Sequence, residues 1–302
     1  MNKIKIESAA LLTILSIIWG SSFILMKKGL LSYSPPQVAS LRIIIAALAL
    51  APYLFYKLKT FPWNKLKYIL LFGFLEIGLP PFLYTYAQKQ VDSSTAGILN
   101  SLVPIFTLIL GMAIYKLKHH WLTIAGVFIG LSGAFLITFI KSGSGFNMEV
   151  TNPWGLLIVL ATICYGFAGN ILKEYLNDLS GVIIIGLSFV FMSIPVLLYL
   201  IFTNFFIGAN FTSAHLLSIS SIVILAVFGS ALALTLFSKL IKLSNALYAS
   251  FVTYLIPFVS ILWGWLDGEN ISIIHLLSII VIFFGIYVAN KGDNIAIKDF
   301  KL

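Results

Sequence analysis

The sequence contains ten apolar runs, each about as long as a membrane-spanning helix. These runs restrict the folds that the chain can adopt. A helix that spans a bilayer needs about 20 consecutive, mostly apolar residues. Short polar connectors separate the runs, so the sequence predicts an all-α integral membrane protein with ten transmembrane helices. The runs cover residues 8–26, 36–56, 66–86, 92–114, 120–140, 153–172, 180–204, 215–237, 245–266 and 271–290.

The composition leaves no room for a soluble domain beside these runs. Of the 302 residues, 60% are hydrophobic and 10% are charged, whereas soluble domains carry about 25% charged residues. The sequence contains neither a GxxxxGK[ST] phosphate loop nor a GxGxxG turn, so direct use of ATP is not expected. No cofactor and no metal is expected either, because the four histidines lack ligand spacing and Cys164 is the single cysteine.

The formal charge of +9 is explained by membrane topology rather than by a nucleic-acid partner. The lysines are scattered between apolar runs, whereas a nucleic-acid footprint clusters on one face. Basic residues accumulate on the cytoplasmic side of a membrane, and a cytoplasmic N-terminus would place fourteen lysines inside and four outside. Both termini are therefore predicted to be cytoplasmic, in a multi-pass protein of the inner (plasma) membrane. The four outer lysines are Lys27, Lys28, Lys89 and Lys141.

The chain also repeats itself. The segment WGSSFILMK at Trp19–Lys27 aligns with YGFAGNILK at Tyr165–Lys173, at an offset of 146 residues. The segment AGILNSLVPIFTLILG at 96–111 aligns with ASFVTYLIPFVSILWG at 249–264, at an offset of 153 residues. Two units of about five helices are therefore predicted. Because five is odd, the second unit would enter the membrane with opposite polarity, and such inverted repeats are characteristic of secondary transporters. The predicted units are residues 1–146 and 147–302.

These segments resemble the drug/metabolite transporter superfamily, and within it the ten-helix EamA-type proteins built from two EamA repeats. The resemblance also includes the Pro-then-Arg entry to the second helix, Pro36 and Arg42, and a GxxxGxxG stretch that begins at Gly126. It extends over roughly residues 8–290. It implies a central cavity lined mainly by the first, third and fourth helices and by their counterparts, the sixth, eighth and ninth.

The helices that the resemblance assigns to the cavity carry polar and aromatic side chains able to stack on a ligand or to hydrogen-bond it. As a set they indicate a cargo of mixed apolar and polar character. Tyrosine and tryptophan are also common at membrane interfaces without any ligand, and this remains the alternative for each. The candidate substrate-binding residues are Trp19, Ser22, Glu76, Tyr84, Asn100, Tyr165, Asn170, Thr253, Tyr254 and Trp263.

Arg42 and Glu76 are the charged side chains expected at membrane depth. Arg42 is the only arginine, and Glu76 is the only acid well inside an apolar run. A charge near a helix centre costs about 2.5–3.5 kcal/mol on insertion scales, so both are expected to face the protein interior. A direct pair is geometrically allowed. In the alternative, Arg42 bonds to carbonyls near the outer face and Glu76 occupies a polar pocket. Both residues are candidates for a coupling or a structural role.

Three other patterns have a structural and a functional interpretation. Pro104 and Pro257 occupy matched positions near mid-membrane, where a proline frees a carbonyl and bends the helix; a solute contact and a static kink are both open. Gly126 and Gly130 predict close helix packing, either within the chain or at a dimer face. Lys27 ends the first helix and is expected to extend to the lipid headgroups.

The resemblance also implies a glutamate after the fourth and ninth helices. The second copy has this residue as Glu269, whereas the first copy has Lys116 in its place. This departure argues against a role for that position in the first half of the chain.

The sequence therefore predicts a secondary active exporter of amino acids or related small metabolites that works by alternating access, and not an enzyme. An intramembrane lipid-modifying enzyme would need clustered acids, a HExxH or a Ser/His pair, and no such motif is recognised. A passive channel is the other alternative, although no charged ring or filter-like loop supports it. The expected partners are a small-molecule substrate, protons as the candidate coupling ion and the lipid bilayer, with the protein a monomer or weak homodimer.

Overall fold

The structure is a computed structural model, and it describes residues 3–59, 61–115, 121–139, 153–203, 205, 212–243 and 252–299. These residues form helices and turns, and no strand occurs among them. Ten helical segments fall on the ten predicted apolar runs. They are α1 (Lys3–Gly29), α2 (Pro35–Lys57), α3 (Leu66–Gly73, Phe74–Gly78 and Leu79–Ala87), α4 (Ser93–Asn100 and Val103–Tyr115), α5 (Trp121–Phe139), α6 (Gly155–Tyr175), α7 (Gly181–Phe202), α8 (Ser213–Ile224, Leu225–Leu232 and Ala233–Leu243), α9 (Val252–Leu266) and α10 (Ile273–Asp299).

Seven of these segments are long and apolar enough to cross a membrane, as judged by length and composition over the described residues: α1, α2, α3, α4, α6, α7 and α8. The other three contain shorter apolar helices, Trp121–Ile137, Val252–Leu266 and Ile273–Ala289. The all-helical membrane fold is therefore confirmed, and the number of ten crossings stays a prediction.

Local sequence determines where several helices begin. Pro35 occupies the first turn of α2, where its missing N–H needs no partner, and Gln37 Oε1 accepts a hydrogen bond from the Ser34 backbone N–H at 2.9 Å. The Ser180 hydroxyl accepts from the backbone N–H of Ile183 at the start of α7. These side chains satisfy N–H groups that the first helical turn leaves unpaired, so each helix starts at a defined residue.

The two repeats contact each other reciprocally through glycines. A Cβ placed on Gly20 in α1 would lie 2.5 Å from Val259 Cβ in α9, and a Cβ on Gly166 in α6 would lie 2.9 Å from backbone atoms of Phe106 and Thr107 in α4. Gly166 follows Gly20 by 146 residues and Val259 follows Phe106 by 153, which are the offsets of the aligned segments. Each copy therefore presents the same surface to the other, as a pseudo-twofold relation requires.

The close packing predicted from Gly126 and Gly130 occurs within the chain. A Cβ on Gly126 in α5 would overlap the backbone nitrogen of Ala289 in α10, and a Cβ on Gly285 would overlap the backbone nitrogen of Gly130. The absence of a side chain lets the two backbones touch. This glycine stretch is therefore an internal α5–α10 contact.

Two helices contain π-helical stretches at related positions, a feature that the sequence did not predict. They are Phe74–Gly78 in α3 and Leu225–Leu232 in α8. Gly78 and Gly229 lie 151 residues apart, between the two repeat offsets, so the stretches are related by the repeat. Such π-helical turns are rare and are frequently found at functional sites, which directs attention to these two helices.

The stretch in α3 has a chemical cause. Pro80 and Pro81 have no N–H to donate to the carbonyls of Glu76 and Ile77, and the Leu79 N–H instead reaches back five residues to the carbonyl of Phe74. The stretch in α8 contains no proline, and nothing in its sequence explains the π geometry. Together the two stretches place the backbone of Glu76 and Ser230 where regular helix geometry is interrupted.

Candidate functional site

Polar side chains from five helices meet between the two repeats. We call this group the central cluster and define it by Arg42, Glu76, Tyr84, Asn100, Tyr165 and Ser230. All but Ser230 were predicted from the sequence as site or charge residues. The first four belong to the first repeat and the last two belong to the second, so the cluster is shared by both copies.

Two tyrosines form the aromatic part of the central cluster. The Tyr84 hydroxyl in α3 donates to Asn100 Oδ1 in α4 at 2.7 Å. The Tyr84 and Tyr165 rings stack with centroids 6.2 Å apart, and Phe23 in α1 contacts Tyr84 with centroids 5.8 Å apart. Asn100 also precedes the break in α4, where Pro104 cannot donate to the Asn100 carbonyl. The side-chain amide of Asn100 and a backbone carbonyl without a helical donor therefore belong to the same residue.

Arg42 contributes the cation of the central cluster. Its Nε donates to the Ser230 hydroxyl in the π-helical stretch of α8, with an Nε–Oγ distance of 3.0 Å. Tyr165, Tyr84 and Glu76 lie in the neighbourhood of the guanidinium. Arg42 follows the first residue of α2 by seven positions, or about 10 Å along the helix. The arginine therefore reaches from one repeat into the other at membrane depth.

Glu76 contributes a carboxyl group, which has no hydrogen-bonding partner in the part of the chain that the structure describes. Arg42 lies in its neighbourhood, yet the two side chains form no ion pair within the described ranges. Both side chains are partly exposed. The direct pair that the sequence allowed is thus not formed, and Arg42 bonds to a serine hydroxyl rather than to carbonyls near the outer face.

Trp19 and Ser22 lie on the side of α1 that contacts the π-helical stretch of α8. Trp19 Nε1 donates to the Gly229 carbonyl at 3.1 Å, and the Trp19 ring contacts Phe237 with centroids 5.2 Å apart. Ser22 approaches so closely that a Cβ on Gly229 would lie 2.8 Å from its Oγ. The indole N–H therefore satisfies a carbonyl next to Ser230, and both residues border the central cluster.

The remaining predicted site residues lie elsewhere. Asn170 is buried and donates to the carbonyls of Thr107 at 3.0 Å and Gly166 at 2.8 Å, which joins α6 to α4. Trp263 is 39% exposed and donates to the Ser21 hydroxyl. Tyr254, next to Thr253 on α9, packs edge-on against Phe283 of α10. No described hydrogen bond or ring contact joins these four residues to the central cluster.

A second polar group, which we call the outer cluster, was not predicted. It consists of Lys27 and Lys28 at the end of α1, Ser93 and Ser94 at the start of α4, and Asp267 and Glu269 after α9. The Glu269 carboxylate accepts from the Ser93 N–H and hydroxyl at 2.9 and 2.7 Å, and from the Ser94 N–H and hydroxyl at 3.0 and 2.7 Å. One acid therefore caps the first turn of α4, where the helix dipole favours a negative charge.

Lys27 completes this arrangement. Its Nζ lies 2.8 Å from Glu269 Oε1 and 2.8 Å from Asp267 Oδ2, and Lys28 also pairs with Asp267. The expectation that Lys27 extends to lipid headgroups is therefore wrong, because two nearby carboxylates bind it. The Ser93-Ser94 pair at a helix start was the signal that could have suggested an acidic partner. Lys116, the residue at the corresponding position of the first copy, lies outside the described residues.

The hydrogen bonds of the outer cluster keep its carboxylates ionised. Burial alone would raise the pKa of Glu269, but the bonds from Lys27, Ser93 and Ser94 hold that pKa below its ordinary value. Burial also opposes ionisation of Asp267, and the two lysines nevertheless lower its pKa. Both acids are therefore charged at neutral pH.

The sequence is similar to a family of transporters and to individual proteins named as transporters. A sequence model of the EamA-like transporter family matches residues 7–139 and 152–291. The chain is 28% identical over 283 residues to the uncharacterized inner membrane transporter YedA of Escherichia coli (strain K12), covering 92% of this chain and 89% of that protein. It is 24% identical over 294 residues to the uncharacterized transporter YdfC of Bacillus subtilis (strain 168), covering 94% and 92%.

A solved crystal structure is similar in fold. The two chains superpose with a TM-score of 0.62 at 15% identity, over 95% of this chain and 97% of the other. The likeness therefore includes nearly the whole of both molecules.

Proposed function

Because the chain belongs to the EamA-like transporter family, we propose that it is a secondary active exporter of amino acids or related small metabolites. The chain is a multi-pass membrane transporter; the cargo class, the direction and the alternating-access mechanism are the proposal. The gradient that drives it is proposed to be one of protons across the inner (plasma) membrane.

The central cluster is the observation that supports this proposal. It is a polar group inside a mostly apolar bundle, and both repeats contribute to it through Arg42 and Ser230. A solute bound there would contact both copies. Movement of one copy against the other would then expose the solute to one side of the membrane at a time, as secondary transporters built from repeats require.

Ion pairs at the helix ends support the proposed division of the connecting segments between the two sides of the membrane. The outer cluster joins the end of α1, the start of α4 and the segment after α9, all of which the lysine distribution assigns to the outside. Lys65 Nζ lies 3.2 Å from Asp178 Oδ1, and Lys239 Nζ lies 2.7 Å from Glu7 Oε1. These four residues are all assigned to the inside. Each pair therefore joins segments on one predicted side, and Lys141 lies outside the described residues.

Transport by the reconstituted protein tests the proposal. The full chain in liposomes is loaded with labelled amino acids, nucleosides or sugars, and efflux is measured with and without a pH gradient. We expect saturable efflux of one or more amino acids that accelerates in a pH gradient and loses this acceleration when an ionophore collapses the gradient. Non-saturable flux would indicate a channel, and efflux strictly dependent on ATP would contradict secondary transport.

Glu76 is the group that we propose to couple protons to this transport. Glu76→Gln removes the titratable carboxyl with little change of shape, so we expect normal expression and loss of the pH-gradient dependence. Glu174→Gln is the matched control, because Glu174 is exposed at the end of α6. Unchanged pH dependence in Glu76→Gln would show that coupling resides elsewhere.

A further inference from the structure

The outer cluster joins the two repeats at one end of the molecule. Lys27 and the Ser93–Ser94 pair belong to the first repeat, whereas Asp267 and Glu269 belong to the second. Lys27 Nζ lies 2.8 Å from Glu269 Oε1 and 2.8 Å from Asp267 Oδ2, and both serine hydroxyls donate to Glu269. Each of these ion pairs and hydrogen bonds therefore crosses from one repeat to the other.

The centre of this contact is closed to solvent. The Glu269 side chain is almost fully buried, and Ser93 and Ser94 are completely buried. A Cβ placed on Gly264 in α9 would lie 3.1 Å from the Ser94 Cβ in α4, so the two helices touch beside the carboxylate. The structure therefore shows a conformation in which the predicted outer ends of α4 and α9 are held together.

His275 extends the contact to the start of α10. Its Nδ1 accepts a hydrogen bond from the backbone N–H of Ser272 at 3.2 Å, which leaves the ring proton on Nε2 in the neutral imidazole. Nε2 lies 3.3 Å from the Thr95 hydroxyl in α4 and can donate to it. A third helix of the second repeat is thereby attached to the first turn of α4.

The opposite end of the molecule lacks the residue types for an equivalent contact. The repeat offset of 153 residues places a lysine at the position of Glu269, and an alanine and a leucine at the positions of the two serines. These residues are Lys116, Ala246 and Leu247, which lie outside the described residues. A lysine cannot accept a hydrogen bond, and the other two side chains cannot donate one. The sequence therefore provides a buried acid with its donors at one end only.

The described residues at that opposite end agree with this difference. Lys173 and Glu174 follow Lys27 and Lys28 by 146 residues, and both are exposed. Neither forms an ion pair or a side-chain hydrogen bond with any residue in the described ranges. Lys27 and Lys28, in contrast, both pair with Asp267. Ion pairs between these repeat-related positions and the other repeat are therefore found at the outer end.

Resting on the proposed transport by alternating access, we propose that the outer cluster is a one-sided latch that holds the cargo-free protein closed toward the outside. Opening toward the outside separates the repeats at this end, so the charge-assisted bonds of Glu269 must break, and these are about twice as strong as neutral ones. Opening toward the inside leaves them intact. The equilibrium between the two conformations is biased by this difference, and the cargo-free exporter faces the side from which it loads.

Distance measurements on the purified full-length protein test the latch without a substrate. Spin labels are attached to the variants Lys89→Cys and Ile273→Cys, whose positions are exposed, belong to different repeats and lie outside the outer cluster. Cys164→Ala removes the native cysteine. We expect one major distance when the latch is intact. Glu269→Gln should add a longer distance and raise the ratio of open to closed protein at least about tenfold.

Matched variants separate the latch from a folding defect. Lys27→Gln removes the opposite partner and should shift the distances in the same direction as Glu269→Gln. Lys173→Gln and Glu174→Gln place comparable changes at the other end and should leave the distances unchanged. A second label pair at positions 124 and 287, across the α5–α10 contact, should give the same distance in every variant, which shows that the fold is retained.

Unchanged outer distances in both latch variants, or an equal shift in the two controls, would overturn the inference. Transport by the same proteins in liposomes is measured separately. Transport by the unmodified protein without any opening in the latch variants would leave the proposed function standing and refute the latch. Opening of the latch variants without transport by the unmodified protein would refute the proposed function, whereas the role of the outer cluster in joining the repeats would stand.

Discussion

Glu269 is a single side chain that joins three helices. It accepts hydrogen bonds from Ser93 and Ser94 at the start of α4 and from Lys27 at the end of α1, while it follows α9 in the chain. Its side chain is 2% exposed. Charge-assisted hydrogen bonds are about twice as strong as neutral ones. Glu269 therefore holds together the predicted outer ends of three helices that the family resemblance assigns to the cavity.

Replacing this acid should destabilise the protein. In Glu269→Gln, the amide NH₂ group must face donors of Ser93 or Ser94 and leave them unsatisfied, and a buried unsatisfied group costs about 1–3 kcal/mol. We expect a lower Tm at neutral pH, measured by thermal unfolding in detergent. Glu174→Gln provides the control and should leave the Tm unchanged. Equal Tm values for both variants would show that the outer cluster contributes little to stability.

The outer cluster also makes the free energy of unfolding depend on pH. The direction of this dependence follows from the pKa of Glu269. The pKa of Glu269 is lowered in the folded protein, so the unfolded chain binds more protons in acid. The stabilisation is present above the ordinary glutamate pKa and is lost as the pH falls through the folded value. Between about pH 7 and pH 3, the Tm of the unmodified protein should fall further than that of Glu269→Gln. Parallel profiles would contradict this assignment.

Single residues show where sequence reasoning succeeds and where it stops. Arg42 and Glu76 were predicted as the charges at membrane depth because few charged residues interrupt the apolar runs. The partner of Arg42, Ser230, was not predicted, because it lies 188 residues further along the chain. The distance between such residues depends on how two helices rotate and slide against each other, and local hydropathy does not encode this register.

The positions of the helices were predicted more accurately than the irregularities within them. The run predicted at 36–56 corresponds to α2 at Pro35–Lys57, because its length and apolar composition both point to one helix. The run predicted at 92–114 is interrupted between Asn100 and Val103, as the proline at 104 suggested. No proline in the sequence indicated the π-helical stretch of α8. Trp19, Ser22 and Arg42 contact this stretch from other helices, and a single sequence does not display such contacts.

Substitution of the glycines between α5 and α10 tests how much their close packing contributes to stability. In Gly126→Ala or Gly285→Ala, the added methyl group would overlap the backbone of the opposite helix, and overpacking costs about 1–3 kcal/mol. We expect a lower Tm for both variants. Gly169→Ala is the matched control in α6, because its Cβ would lie 3.8 Å from Thr107 Cγ2, an ordinary contact. A Tm that falls equally in all three variants would show that the α5–α10 contact is not the cause of the fall.

At the scale of the whole molecule, the repeat was the most informative feature of the sequence. It predicted two related units, and the EamA-like family match falls in the same two parts of the chain, residues 7–139 and 152–291. The reciprocal contacts of Gly20 and Gly166 agree with a pseudo-twofold relation. The orientation in the membrane depends on a bilayer and on charge distribution, and it remains a prediction.

Separate expression of the two units tests this organisation. Residues 1–146 and 147–302, made as two tagged polypeptides in the same cells, should copurify and restore transport, because their contacts do not require a covalent connection. Gly20→Leu combined with Gly166→Leu should abolish copurification by blocking both reciprocal contacts. Copurification that is insensitive to this double substitution would show that the halves associate through other surfaces.

The reciprocal contacts also bear on the descent of the molecule. A surface that fits its own copy allows one five-helix protein to assemble as a dimer, and fusion of two such genes would preserve every contact while freeing each half to change alone. The present chain shows the result of that freedom, with a lysine at position 116 where the other half has Glu269, and an acid at position 76 where Val227 stands 151 residues later. Two identical subunits could not carry different residues at these matched positions; a fused pair can.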